Sequence, residues 1–319
     1  MKLLIQGAES LEEVPGLRSL PENINVVCAS DETSMARELP DTEIILGWNF
    51  RSDELKEHWS KAKNLKWIHW CGAGVDAALF PELRNSDVML SNARGIFDRA
   101  MAETLLGYML MVAKDFQTTL EHQKLKIWEH RISRQIKGDR VLIVGVGSIG
   151  REFSRVLAAL GMECSGAGRR ARQGDQDFLE ILDSAKLAND LNRFDWVIGI
   201  MPSTAGTLGF FDRCFFEQMK PSAHFINMGR GNAVVEKDII EALEKQEIAG
   251  AMLDVFCNEP LKKDDPLWNV KNLFISPHIS GDFFGFEEAM VDLFKTNLTE
   301  FIAGEKMDNL VDKKLGFVK

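Results

Sequence analysis

The sequence predicts an α/β chain made of two doubly wound parallel-sheet domains, and three observations predict it. Short apolar runs alternate with longer amphipathic stretches almost throughout, the pattern of strands joined by crossover helices. The alternation stops once, at a helical stretch over residues 99–114 followed by a second over 116–130. It then restarts on an apolar run that ends in the glycine-rich turn Gly145-Val146-Gly147-Ser148-Ile149-Gly150.

In the first third, strands are expected at residues 2–6, 24–29, 43–47, 65–69 and 88–91. Charged amphipathic segments such as 53–63 lie between them and suit helices with one wet face. After the interruption, strands are expected at 140–144, 163–167, 196–200, 223–227, 250–255 and 273–276. Six is the number a full dinucleotide-binding sheet uses. A helix over 151–160 follows the first of these strands, and an amphipathic helix over 286–304 leads into a short tail.

Composition bounds the answer. With 319 residues, 45% hydrophobic and 27% charged, the chain can bury large cores without staples. A net charge of −10, from 48 acidic and 38 basic residues, argues against nucleic acid as a partner. The longest apolar stretch, around 105–113, is too short to span a membrane, and the N-terminus turns polar too soon for a signal peptide. Cys28, Cys71, Cys164, Cys214 and Cys257 are scattered without metal-ligand spacing, so no metal site is expected. They read as reduced core thiols of a cytoplasmic protein.

The glycine turn carries the first chemistry. Gly145 permits the tight turn, Gly147 lets backbone approach a pyrophosphate, and Gly150 lets helix pack on strand. Ser148 and Ile149 open the helix, whose free N–H groups favour phosphate. An NAD site wants an acid about 20 residues beyond the glycines, on the ribose hydroxyl. There the next strand ends in Gly168-Arg169-Arg170, and its one acid, Glu163, lies at the wrong end. Such a basic turn is often only solvated. The missing acid together with two cations favours NADP(H) over NAD(H).

Arg230, Glu259 and His278 each sit just past a later strand, where ligands of an open α/β sheet bind. An arginine fork suits a carboxylate and a carbonyl, a histidine can donate a proton to an alkoxide, and a carboxylate beside it would hold the imidazolium. Singly, each has an ordinary explanation as a loop charge, a turn residue or a satisfied histidine. Their joint placement points to reduction of a keto acid.

At these residues the chain resembles the D-isomer-specific 2-hydroxyacid dehydrogenase family, over nearly its whole length. The matching stretches are Phe225-Ile226-Asn227-Met228-Gly229-Arg230-Gly231, the run from Ala251 through Asp254 and Glu259 to Leu261, and Ser276-Pro277-His278-Ile279-Ser280-Gly281. Gly47-Trp48-Asn49 and Gly168-Arg169-Arg170 are similar to the glyoxylate/hydroxypyruvate reductase branch. The resemblance implies a Rossmann cofactor domain, 98–286, inserted into a flavodoxin-like substrate domain, 1–97 with 287–319.

It implies that Arg230 holds the substrate, that His278 is general acid and base, and that Glu259 orients it. It further implies that Asp254 lies near the nicotinamide and that Met201, Pro202 and Ser203, with Met228 and Gly229, line the cofactor cleft. Trp48 and the N–H groups of Ala73 and Gly74 would meet the substrate, and the enzyme would be a homodimer. Trp48, Trp67 and Trp70 could line a pocket or pack a core; for Phe283 and Phe284 packing is favoured. Within the same fold, the alternatives are a phosphoglycerate-dehydrogenase-like enzyme, for which no regulatory domain is seen before Lys319, and a dinucleotide-sensing corepressor.

Overall fold

A computed structural model describes residues 1–17, 19–49 and 54–318. The chain divides into two compact units, Met1–Phe97 with Phe283–Lys319, and Asp98–Asp282. The second boundary thus falls after Asp282 rather than after residue 286. The reason is local: the Phe283 ring meets Phe286, at the start of the last helix, edge-on at 6.3 Å, so the turn before that helix goes with it.

Among the described residues the first unit holds five parallel strands, β1 (Lys2–Gln6), β2 (Asn25–Ala29), β3 (Ile44–Gly47), β4 (Trp67–Trp70) and β5 (Met89–Asn92). Their order is β2-β1-β3-β4-β5, the flavodoxin-like arrangement. A parallel sheet must be covered on both faces, and alternate residues serve the two. Leu3, Ile5, Ile44, Leu46 and Trp67 line one core, and Leu4, Ile45, Ile68, Trp70 and Leu90 the other. The helix Phe286–Ala303 covers the first face with Met290, Val291, Phe294 and Leu298, and Trp67 stacks on Phe294 at 5.5 Å. Trp67 and Trp70 are therefore packing residues, whereas Trp48 is only half-buried. The segment 53–63 gives a helix, Glu54–Glu57, and a 3-10 turn, Trp59–Lys61; Asp53 lies outside the described residues.

The second unit holds β6 (Arg140–Val144), β7 (Glu163–Gly168), β8 (Arg172–Gln173), β9 (Glu180–Asp183), β10 (Trp196–Gly199), β11 (His224–Asn227), β12 (Gly250–Leu253) and β13 (Leu273–Ile275). The order is β13-β12-β11-β10-β6-β7-β9-β8, parallel except for β8. Six strands were expected here; β8 and β9 are additions. β9 reads Glu-Ile-Leu-Asp, two apolar residues between charges, too short to register as a strand. Between β6 and β10 the winding reverses direction, which opens a crevice at their carboxyl ends.

Phenylalanines and aliphatic side chains around Phe211, Phe216 and Phe225 fill one face. The helices Asp98–Ala113 and Ser148–Ala159 pack on each other. The helix expected over 116–130 stops at Leu125, because Lys126 turns left-handed at φ 58. All five cysteines are free, but only Cys71 and Cys164 are buried; Cys214 and Cys257 are exposed, contrary to the core reading. Among the described residues no helix is long and apolar enough to cross a membrane.

Candidate active site

The glycine turn leaves β6 and enters the helix Ser148–Ala159 with Gly147 as its N-cap. Gly145 sits at φ +123, and a side chain there would strike the Ile200 carbonyl oxygen. A side chain on Gly150 would run into the Gly145 carbonyl, so helix and strand touch through their backbones. At Gly147, by contrast, nothing lies within 4 Å of where a Cβ would be. Among the described residues no side chain caps this helix, so the first-turn N–H groups at Ser148, Ile149 and Gly150 face a space suited to an anion. This cradle fits a dinucleotide pyrophosphate.

β7 ends at Gly168, and Arg169 and Arg170 follow on the surface. Glu163 lies at the other end of β7 beside Arg140, at 3.2 Å. The turn after β7 therefore presents cations and no carboxylate of its own strand.

Past β10, Met201, Pro202 and Ser203 form a turn held from within. Thr207 donates to the Pro202 carbonyl at 2.7 Å and Asn232 donates to Ser203 Oγ at 2.9 Å. Gly229 lets the end of β11 lie against the Met201 backbone, where a Cβ would be 2.9 Å from it. Met228 is 2% exposed, so its side chain belongs to the interior.

β11, β12 and β13 are neighbours, and their carboxyl ends carry Arg230, Glu259 and His278. The structure brings two of these into contact: His278 Nδ1 lies 2.7 Å from Glu259 Oε2. Glu259 Oε1 accepts from the Phe256 N–H at 3.0 Å, which fixes the carboxylate plane. A carboxylate accepts only, so Nδ1 carries the proton and Nε2 points the other way. Arg230 donates to the Gly229 carbonyl at 2.9 Å. Its turn is shaped by Asn227, 1% exposed, which donates to the Arg230 carbonyl at 3.0 Å and accepts from the Gly229 N–H at 3.2 Å. Gly231 packs against the Phe256 backbone, tying the Arg230 turn to the Glu259 turn.

Asp254 faces inward with no exposed surface. Its carboxylate accepts from Ser276 Oγ, from the Ile279 N–H at 3.1 Å and from the Ser280 N–H at 3.2 Å. These donors flank His278, whose backbone is left-handed at φ 56. Thr104 adds a bond to the Ser280 carbonyl at 3.1 Å. A non-glycine residue in that conformation is held by its surroundings, and Asp254 supplies the hold. Neither this role nor that of Asn227 was visible in the sequence, where both read as motif letters.

Trp48, Ala73 and Gly74 belong to the first unit and follow β3 and β4. Asn92 donates to the Ala73 carbonyl at 2.6 Å, which shapes that loop. Phe284 is fully exposed at 108%, so packing does not explain it. Among the described residues no cluster of three or more His, Cys, Asp or Glu is placed to hold a metal ion.

Residues 106–280 match the family described as D-isomer specific 2-hydroxyacid dehydrogenase, NAD binding domain. The glyoxylate/hydroxypyruvate reductase A of Serratia proteamaculans is 30% identical over 261 residues, 79% of this chain and 82% of that one. Among solved structures, a D-isomer specific 2-hydroxyacid dehydrogenase family protein from Aeromonas salmonicida superposes with TM-score 0.84 at 30% identity, covering 98% of both chains. The NADPH-dependent glyoxylate/hydroxypyruvate reductase of Sinorhizobium meliloti, solved with NADP and sulfate, superposes with TM-score 0.86 at 27% identity over 99% of both.

Proposed function

The chain belongs to the D-isomer specific 2-hydroxyacid dehydrogenase family and is an oxidoreductase acting on a CH–OH group; from that premise we propose that it reduces a small 2-keto acid, glyoxylate or hydroxypyruvate, to the 2-hydroxy acid with NADPH, the D isomer where the product is chiral. The observation that carries this reading is the His278–Glu259 pair at 2.7 Å. With Nδ1 engaged, His278 offers Nε2 to the carbonyl oxygen of the substrate as general acid. Glu259 keeps the ring oriented. Arg230 binds the substrate carboxylate and stabilises negative charge growing on the carbonyl oxygen. Reduced nicotinamide, when bound, supplies the hydride. Gly145, Gly147, Ser148, Ile149 and Gly150 hold the cofactor phosphates, and Met201, Pro202, Ser203 and Gly229 line its cleft. Arg169 and Arg170 take the 2′-phosphate, which is the basis for NADPH over NADH. Trp48, Ala73 and Gly74 are kept as candidate substrate contacts.

The test is initial-rate absorbance at 340 nm with NADPH and NADH against glyoxylate, hydroxypyruvate, pyruvate and phenylpyruvate. Rapid NADPH oxidation with one of the first two is expected. No turnover with any of the four, despite cofactor binding, would overturn the substrate assignment.

We also propose a homodimer in the cytoplasm, where five free thiols stay reduced. Phe116, Leu120, Leu125, Ile127, Trp128 and Ile132 are all exposed, Trp128 at 101% and Ile132 at 95%. Arg131 donates to Thr119 at 2.7 Å and pairs with Asp115 at 3.3 Å, so helix Phe116–Leu125 and the segment after it form one ordered flap. The six side chains expose on the order of 800 Å², what one partner of a standard interface buries. A second copy of the chain is the occupant this area fits. Light scattering should give a dimer for the native chain and a monomer for Trp128→Glu with Ile132→Glu. A dimer in the variant would move the interface elsewhere.

A further inference from the structure

The turn carrying Arg169 and Arg170 is joined to very little sheet. Only Arg169, Arg170 and Ala171 link the end of β7 to β8, and β8 has two exposed residues, paired as Arg172 with Ile181 and Gln173 with Glu180. A two-residue edge pairing is weak by itself. What fixes the β8–β9 hairpin lies at its tip. Arg151 donates to Asp175 at 2.8 Å and to Asp177 at 2.6 Å, and Arg155 donates to Asp177 at 2.9 Å. Asp175 also accepts from the backbone N–H groups of Asp177 and Phe178, at 3.0 and 3.2 Å. Phe178 is buried beneath the Arg151 guanidinium, 5.5 Å away, and faces Gly166 of β7, where a Cβ would be 3.3 Å from its ring.

Arg151 and Arg155 stand on the helix Ser148–Ala159, the same helix whose first turn forms the phosphate cradle. One helix thus braces both the backbone anion site and, through two aspartates, the hairpin that tethers the basic turn. The Asp177 side chain is 3% exposed, so the carboxylate end of its bonds is sheltered, whereas Asp175 and Arg155 stand partly in solvent.

We propose that Asp175 and Asp177, gripped by Arg151 and Arg155, are positioning residues for cofactor choice: they hold the turn so that Arg169 and Arg170 meet a 2′-phosphate. This rests on the reading of those two arginines as the 2′-phosphate site. Loosening the grip costs NADPH affinity and leaves NADH untouched, because NADH makes no use of the turn's charge.

The experiment compares steady-state kinetics of the native enzyme, Asp175→Asn with Asp177→Asn, and Arg169→Ala with Arg170→Ala, each with NADPH and with NADH. In the aspartate variant the KM for NADPH should rise roughly threefold to tenfold, with the KM for NADH and kcat at saturating NADPH unchanged. A general folding defect would move both cofactors together, and that outcome, like an unmoved KM for NADPH, overturns the proposal. Arg155→Gln, at a half-exposed position, removes one link only and should give a smaller shift of the same sign even where the double variant folds poorly; an absent shift overturns the proposal. If the native enzyme prefers NADH, or the arginine variant leaves preference intact, the 2′-phosphate reading itself falls. If the arginine variant abolishes preference while the aspartate variant keeps it, only the anchor falls.

Discussion

The two halves of the second unit's sheet, β6 to β9 and β10 to β13, lie on either side of the winding reversal and offer different kinds of groups at their carboxyl ends. The first half presents backbone at an uncapped helix start with open space over Gly147, and beside it two exposed arginines on a short turn. The second half presents side chains braced by polar partners: His278 by the exposed Glu259 and the buried Asp254, Arg230 by the buried Asn227. The difference teaches that binding and chemistry are built separately. A backbone cradle depends on its glycines, whereas the proposed reactive groups depend on the polar partners that hold them.

The largest expected effect tests this separation directly. His278→Ala should lower kcat by ~10²–10⁴ while the Kd for NADPH, read by fluorescence titration, holds. A parallel loss of NADPH affinity would break the division between the halves. Next comes Asp254→Asn, which keeps size but replaces an acceptor by a donor facing the Ser280 N–H. Expected are a fall in kcat of roughly tenfold or more and a stability loss of about 1–3 kcal/mol, with the KM for cofactor unchanged. A raised cofactor KM with normal kcat would assign Asp254 to the nicotinamide. Arg169→Ala with Arg170→Ala should weaken NADPH binding by about tenfold and NADH binding hardly at all; equal losses would make the turn a mere surface.

The halves should also answer acid in different windows. Burial, aided by the Arg134 charge, pushes His224 on β11 down to about 4. The folded chain holds it neutral while the unfolded chain protonates it, so its stability contribution is full above about pH 6.5 and lost as pH falls toward about 4. Asp175 is held well below the usual carboxylate range by the Arg151 hydrogen bond. Asp177 is pushed up by burial, but hydrogen bonds from Arg151 and Arg155 more than reverse that. Their contribution is present above about pH 4 and lost below it. His69 in the first unit, lowered to about 3 by burial, adds to the His224 trend, so each variant is compared with the native chain. In thermal melts, His224→Phe should flatten the decline between pH 6.5 and 4, and Asp175→Asn with Asp177→Asn the decline below 4. Identical slopes in the two variants would sink the distinction.

Much of this was legible. Val141 to Val144 is an unbroken apolar run that ends in glycine, and such a run has few readings other than a buried strand. Arg230, Glu259 and His278 could be placed because each follows a recognisable strand. The inward bonds of Asp254 were not legible because no sequence feature says which way a carboxylate just past a strand faces. β9 was invisible because pairing with β7, not its own composition, makes it a strand. The flap after Leu125 read as helix because its apolar residues recur at helical spacing, although none of them finds a core.

The first unit is discontinuous in the chain, and that has a consequence for how the protein is made. At a synthesis rate of ~5–20 residues per second, roughly 10–40 s separate the emergence of Phe97 from that of the final helix. Throughout that interval Leu3, Ile5 and Trp67 lack Phe294 and its neighbours, so one face of a nascent sheet stands wet. Asp98–Asp282, being continuous, can close first. The ribosome therefore delivers a finished barrier between two unfinished pieces, and the wet face is where a chaperone should bind. Released chains truncated before residue 286, with Trp67 kept as the one tryptophan, should show it in a red-shifted, quenchable environment, and released chains carried through Ala303 should not.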